Sequence, residues 1–571
     1  MKKGKHQFLW LLIPIFVWLC MLIPTDSYYS VYILIGLLSL AAAFKNSKSS
    51  TPNSFIDYLF PIILSLFVTL ANYSIFSEYR LISMAILFIS GLFVFYNLFK
   101  YIKLNAKKTI KKEKNNDSLK LSIICFIVII VINITILITC CYPGVLTSDS
   151  MNEIEQLLSN NYNNHHPVYF TFLIKTFVSL GLALFNDINI GIAFYSIFQI
   201  IVLAASFSYA VYTLRQIGTP KKIVVPFIIF TAMMPYNIMY SFTLWKDVMF
   251  GAAMLIFIIS LFRYFNKLYN HKFLPIILIT ISSLMICLFR SNGLLAFFAS
   301  SIVFLILFKK EYLKLGLLLC GVTVLAFIMK NPVLKALEIN QSDTVESLSI
   351  PMQQITRVLV EDKNSLAQED IEQINKVANT DRLIEDYNPI LHDPVKYIVR
   401  KEGDQKYLKE HLIEYAGLYI RIGLQHPLIY TKAWINQTRG YWNGGYAYWR
   451  WTDELHENNK GVKRTVVSQR SDNLRKKYLE SYNQAPFLNP FISIGLFIWV
   501  LLALLYKTIA TKNKYLFFFL VPLLATWLTL LIATPVFSEF RYVYFIFTCV
   551  PFLIIVSQTN ITSRKSSHEK R

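Results

Sequence analysis

Apolar runs of about 20 residues recur along the chain between short polar loops, each long enough to cross a hydrocarbon core of ~30 Å. They fall at 8–24, 28–44, 55–76, 81–102, 119–141, 188–214, 223–242, 248–265, 273–289, 293–308, 313–329, 487–506, 515–534 and 542–556. The pattern predicts an all-α polytopic membrane protein of about 14 transmembrane helices. Two stretches break it. Residues 142–171 form a polar loop between apolar runs, and 330–486 form a long hydrophilic segment. The long segment has helical periodicity at 345–360, 366–377 and 407–424, interrupted at Pro389, Pro394 and Pro427. Its stretch 440–451, aromatic and glycine-rich, reads as a shaped loop. Four regions follow: an N-terminal four-helix module (1–117), a core (118–329) with an outer loop (142–187) where any chemistry is expected, a mostly helical extracytoplasmic domain (330–486), and three C-terminal helices with a tail (487–571).

Composition agrees with this reading: 55% of residues are hydrophobic and 16% charged, against about a quarter charged in soluble domains. The net charge of +22 matters through its location. Segment 330–486 holds 22 Lys/Arg and 21 Asp/Glu, so nearly all of the excess lies in the short loops. That distribution follows the positive-inside rule and argues against a nucleic-acid partner. It also decides the topology. If 166–185 crosses the membrane, every later basic loop falls outside. If it lies along the surface, five basic loops fall inside, and Lys175 avoids the bilayer centre. The segment therefore reads as a juxtamembrane helix on the outer face. Both termini are expected in the cytoplasm, with the protein in the cell membrane and 330–486 extracytoplasmic.

The seven cysteines lie in or beside apolar runs and read as buried hydrophobes. No GxxxxGK[ST], no GxGxxG after a strand and no HExxH occurs. ATP or a nucleotide-sugar on the inner side is therefore not expected.

Candidate chemistry gathers where charge meets apolar segments on the outer side. Asp149 begins an amphipathic segment, where a helix N-cap is its simplest reading, with Ser148 or Ser150 as rivals. Glu153 lies four residues on, over the same helical face, and Glu155 points elsewhere. The two acids on one face suit a base with a helper, or a divalent cation such as Mg or Mn. His165 and His166, before Pro167, stand where the loop returns to the membrane surface and suit a phosphate or a sugar hydroxyl. Lys246, Asp247, Arg290 and Arg541 flank spans on the outer side, against the positive-inside trend. A shared anionic ligand would explain the three cations, and Glu539 stands ready to orient Arg541. Trp442, Tyr446 and Trp449 could stack on sugars or form an interfacial belt.

The layout resembles the C-type membrane glycosyltransferases (GT-C). Ser148-Asp149-Ser150 stands at their acidic outer-loop position, His165-His166-Pro167-Val168-Tyr169 at the turn into the juxtamembrane helix, and Glu539-Phe540-Arg541-Tyr542 at their late Arg-Tyr. More closely, SDSMNEIEQ, HHPVYFT, LWKD, FRSNG, IPMQQITR and EFRY resemble a family of bacterial membrane proteins of largely unassigned activity. The single acid in SDS departs from the paired acids of several characterised families. The resemblance implies a GT-C-like core and a polyprenyl-phosphate-linked sugar donor. A cell-envelope glycan or lipid would be the acceptor. Asp149 would be the general base, assisted by Glu153 and His166. Lys246, Arg290, Arg541 and His165 would face the donor phosphate, and Trp442, Tyr446, Trp449 and Asp247 the acceptor or sugar. The rival readings are a lipid-linked saccharide transporter and a non-enzymatic envelope-assembly subunit. A transporter should place charge at mid-span and show two related halves, and neither is visible in the sequence.

Overall fold

Helices make up the regular structure of the computed structural model, which describes residues 8–22, 28–46, 52–73, 80–113, 116–271, 273–341, 343–446, 450–453 and 455–559. Both termini lie outside the described residues. In chain order the apolar helices are α1 (Leu12–Met21), α2 (Tyr29–Asn46), α3 (Ile56–Ala71), α4 (Arg80–Asn105) and α5 (Ser118–Ile136). After α6 (Ser148–Ser159) and α7 (Val168–Phe185) come α8 (Ile188–Gln216), α9 (Lys221–Met233), α10 (Pro235–Ser241) and α11 (Lys246–Phe265). Then follow α12 (Phe273–Phe289), α13 (Gly293–Phe308), α14 (Leu313–Ile328) and, after the polar domain, α15 (Ile494–Thr511), α16 (Lys514–Ile532) and α17 (Tyr544–Val556). Among the described residues, nine helices are long and apolar enough to cross a membrane, or ten if the bent pair α9–α10 is one span. The expected count of about 14 differs from this because it takes in α1, α3, α12, α13 and α17, each in an apolar helix of only 10–17 residues, and leaves out α7, which is one of the nine.

The helices alternate between two ends of one bundle. At one end Asp57 receives Lys103 and the hydroxyl of Tyr506. Arg215 pairs there with Glu113 and Asp117, Arg263 donates to Thr213, and the Tyr515 hydroxyl donates to Glu311. At the other end the amide of Tyr28 donates to the carbonyl of Gly445, the Tyr446 hydroxyl to that of Ala71, and Arg290 to that of Tyr542. Charge concentrates at both ends because a carboxylate or guanidinium in an apolar interior is costly without a partner. Helix α11 is the centre: 89% of its apolar window is buried, against α8, α12 and α17.

Helix α7 packs along the first half of α8: Phe170 and Phe177 on Tyr195, Phe177 on Phe198, Val178 and Gly181 on Gly191, and Phe185 on Phe194. A Cβ on Gly181 would lie 2.2 Å from the nitrogen of Gly191, so this crossing needs two glycines. Phe170 also touches Phe289, and the Tyr169 hydroxyl donates to the carbonyl of Met329. The start of α7 thus also lies against the ends of α12 and α14. Its Lys175 is held by Asn160 and the Tyr162 hydroxyl rather than facing apolar surroundings.

The polar segment folds into short helices around a separate core of Val345, Val358, Leu359, Val395, Val399 and Ile422 among others. Pro394 and Pro427 stand in the first turns of the helices Asp393–Lys401 and Pro427–Thr438, where the missing N–H is not needed. The N-terminal helices pack on α15: Trp499 meets Tyr32 and Phe95, and Tyr506 meets Phe60 and Phe99. Among its described residues the aromatic loop is non-helical beyond Tyr441, as its glycines imply.

Candidate functional site

Asp149, His166, Lys246 and Arg541 converge at the end of the bundle that carries α6 and α7. The carboxylate of Asp149 meets the Arg541 guanidinium at 2.6 Å, and His166 Nε2 stands 3.8 Å from its other oxygen. Lys246 Nζ is 2.7 Å from His166 Nδ1. A charged ammonium can only donate, so Nδ1 accepts and the proton of the neutral ring sits on Nε2, facing Asp149. Burial and the adjacent Lys246 hold His166 far below the ordinary imidazole range, which keeps it neutral.

Local structure frees Asp149 for these contacts. The residue preceding α6 is Thr147, not Asp149, which falls within the first turn. The expected N-cap role is therefore corrected. The Thr147 hydroxyl accepts from the indole of Trp245, and the Ser150 hydroxyl donates to the carbonyl of Leu244. Together with the backbone pairing of Val145 with Phe242 and Leu244, these bonds dock α6 onto the start of α11. Burial pushes the Asp149 carboxyl up, but Arg541 and Lys246 outweigh it and hold it well below the usual range. The carboxylate keeps 30% of its side-chain exposure, so it is reachable.

Glu153 takes the opposite state. It is 2% exposed, its Oε2 has no hydrogen-bond partner among the described residues, and burial raises its carboxyl to about 8 against the pull of Lys246. Below about pH 4.5 it is protonated folded or unfolded, and its contribution to stability is fully present. As pH rises through about 8 the folded state must bury a charge, and the contribution is lost. Glu153→Gln is therefore expected to gain thermal stability over the parent as pH climbs from about 5 to about 8.5. Melting temperatures at the two pH values check this; a constant difference would refute the buried-acid assignment.

A second pair flanks the first. Arg290 and Asp247 are 2.9 Å apart and nearly inaccessible, and Arg290 also donates to the carbonyl of Tyr542. Lys330 donates to the carbonyl of Arg290. The guanidiniums of Arg290 and Arg541 each lie 5.3 Å from the Tyr542 ring centre, and Arg541 also covers Trp245. Glu539 stands 3.2 Å from Arg541, its carboxyl raised by burial to about 7 despite that cation.

Other expected residues stand differently. Asp247, expected to face acceptor, is 1% exposed and serves as the counter-ion of Arg290. His165 turns away from the Asp149 cluster, 3.8 Å from Glu346, which also receives Lys396 and Arg400. Trp442 is fully buried between Phe67 and Trp434, with its indole N–H on Thr438, so no face is free for a sugar. Trp442→Ala is expected to cost about 3–5 kcal/mol of stability, read as a lowered Tm. A parental Tm with reduced sugar binding would restore the stacking role. Tyr446 sits under the Arg439 guanidinium and ties the loop to α3. Trp449 lies outside the described residues.

Among the described residues no three His, Cys, Asp or Glu side chains converge as a metal ion would require. Asp149 is already faced by Arg541 and His166. The residues present do not fit the divalent cation considered for Asp149 and Glu153, and no step is assigned to one. Sequence reasoning passed over Trp245, Tyr542 and Lys330. The first two stand beside charged residues in LWKD and EFRY, but nothing in those strings shows that their rings support guanidiniums brought from elsewhere.

No curated protein and no solved structure matches the chain. The profile of a family of unknown function, DUF6020, matches residues 158–571, which include His165, His166, Lys246, Arg290 and Arg541 but not Asp149. The match covers well over half of the sequence, and the chain belongs to the DUF6020 family.

Proposed function

We propose that the protein is an integral-membrane glycosyltransferase that moves a sugar from a polyprenyl-phosphate carrier to a cell-envelope acceptor at the outer face. The observation that carries this reading is the contact of a reachable, ionised Asp149 with Arg541, beside Lys246 and Arg290. Lys246, Arg290 and Arg541 gather beside Asp149, Asp247 and Glu539, and clustered cations at a bundle end suit an anionic ligand. The alternation of helices supports fourteen crossings, with α7 along the surface. The basic loops favour placing the ionic cluster and the polar domain outside.

In this reading the donor phosphate draws Arg541 and Lys246 toward itself. Asp149, relieved of its counter-charges, becomes a stronger base. The acceptor hydroxyl gives its proton to Asp149 as its oxygen bonds to the anomeric carbon. The bond from that carbon to the phosphate oxygen breaks, and the electron pair leaves with the polyprenyl phosphate. The cations stabilise the growing negative charge. The configuration inverts. His166 faces Asp149 from the other side, its Nε2 at 3.8 Å from the carboxylate.

Purified protein given polyprenyl-phosphate sugar and an envelope fraction should release polyprenyl phosphate and label the acceptor. Envelopes from cells lacking the protein should miss one sugar substituent. Unchanged glycans together with no turnover would sink the enzymatic reading. Transport is the weaker alternative, because the converging charges sit at a bundle end rather than at mid-span.

A further inference from the structure

A basic cavity at the end of the bundle opposite the ionic cluster meets, at the start of α9, an apolar cleft that runs from there toward the cluster end. The cavity, of about 530 Å³, is lined by Lys111, Lys112, Lys221 and Lys222 together with Ile110 and Ile223. The cleft, of about 720 Å³, lies between α2, α9, α15 and α17, and Ile223, Pro226, Phe227 and Phe230 form its α9 wall. Ile223 borders both. Each volume falls within the range of about 300–1,000 Å³ usual for ligand sites.

The basic segment before α5 is folded onto the bundle. The amide of Glu113 donates to the carbonyl of Gly218 at 2.9 Å, and that of Ile110 to the carbonyl of Gln558 at 2.9 Å. The Glu113 carboxylate accepts from the amide of Lys221 and from Arg215. Asp117 is engaged by Arg215 at 2.5 Å and Lys221 at 2.7 Å. The nearby acids are thus occupied, and among the described residues no carboxylate pairs with Lys111, Lys112 or Lys222. Holding these ammoniums around one cavity costs electrostatic repulsion. A phosphate between them would reverse its sign, and the apolar cleft continues from that point along α9.

We propose that this end binds one anionic phospholipid, its phosphate among Lys111, Lys112 and Lys222 and an acyl chain in the cleft beside α9. The occupant follows from the join: a free anion leaves the cleft empty, and a zwitterionic lipid leaves the lysines uncompensated. The proposal rests on the membrane character of the helices and not on the transfer reaction.

The test uses full-length protein in an uncharged detergent, titrated with phosphatidylglycerol, phosphatidylcholine or inorganic phosphate. Melting temperature and native mass spectrometry provide the readouts. Phosphatidylglycerol should raise the Tm and leave one retained lipid, and the other two should do neither. The triple variant Lys111→Gln, Lys112→Gln, Lys222→Gln should bind phosphatidylglycerol about 100-fold more weakly, at a factor of about five per lysine. Val500→Trp, which fills the cleft away from the lysines, should weaken it as well. An equal response to phosphatidylcholine, or an unchanged affinity in the triple variant, would leave the lysines as topological charge only and overturn the proposal. A full response to inorganic phosphate alone, or indifference to Val500→Trp, would overturn the lipid as occupant.

Discussion

Replacing Asp149 by asparagine is expected to lower sugar transfer by ~10²–10⁴-fold, the usual worth of a positioned general base, while the amount of protein in the membrane stays at the parental level. Asparagine keeps the shape of the side chain and can still accept from Arg541, but it cannot take a proton. Arg541 retains Glu539 at 3.2 Å and its place over the Trp245 and Tyr542 rings, so the fold around it should survive. The measurement is release of polyprenyl phosphate by purified variant and parent at equal protein. Parental turnover would remove Asp149 from the chemistry. An inactive variant that no longer accumulates would place the residue in folding instead, so the two readouts belong together.

Removing Arg290 should have a large effect on the fold. Its partner Asp247 is 1% exposed at the head of α11, and its Oδ2 has no hydrogen bond among the described residues. Taking away the guanidinium leaves a buried carboxylate without a counter-charge, a loss of about 3–5 kcal/mol in comparable buried pairs. Arg290→Met should therefore sharply reduce the folded protein. The double variant Arg290→Met, Asp247→Asn removes both charges and should recover a large part of the loss, because a neutral pair carries much less desolvation cost. Thermal unfolding in detergent of the two single variants and the double variant gives the coupling directly. Additive losses would show that the two residues act independently, despite their 2.9 Å separation. If the double variant folds well but cannot transfer sugar, the pair serves the reaction as well as the fold.

How far the sequence reaches differs between elements. That 168–185 forms one helix was legible in its apolar run, and the structure has α7 there, long and apolar enough to cross a membrane. Its packing partners Phe289 and Met329 were not, since they come from distant parts of the chain. The cations at span ends were legible too, since they run against the local charge trend. Trp442 was not. A Trp in a glycine-rich polar stretch has the same composition whether it faces solvent or fills a gap between α3 and its own domain. Only the neighbours Phe67 and Trp434 distinguish the two. Asp247, expected to face the acceptor, differs for a related reason: its partner is Arg290, from another helix, which the residues beside it do not show.

The sequence by itself determined what depends on short-range free energies. The lengths of apolar runs, the charge of the loops between them and the breaks at proline and glycine set the helices, their alternation and the separate polar domain. Tertiary structure alone decided which charges meet. Asp149 and Arg541 are 392 positions apart, and their contact exists because α6 docks on the head of α11 while the turn before α17 closes over it. The ionisation states followed from that packing. Asp149 and Glu153 are the same kind of acid four residues apart. One lies against a guanidinium with access to solvent, and the other faces a sealed interior that favours its proton.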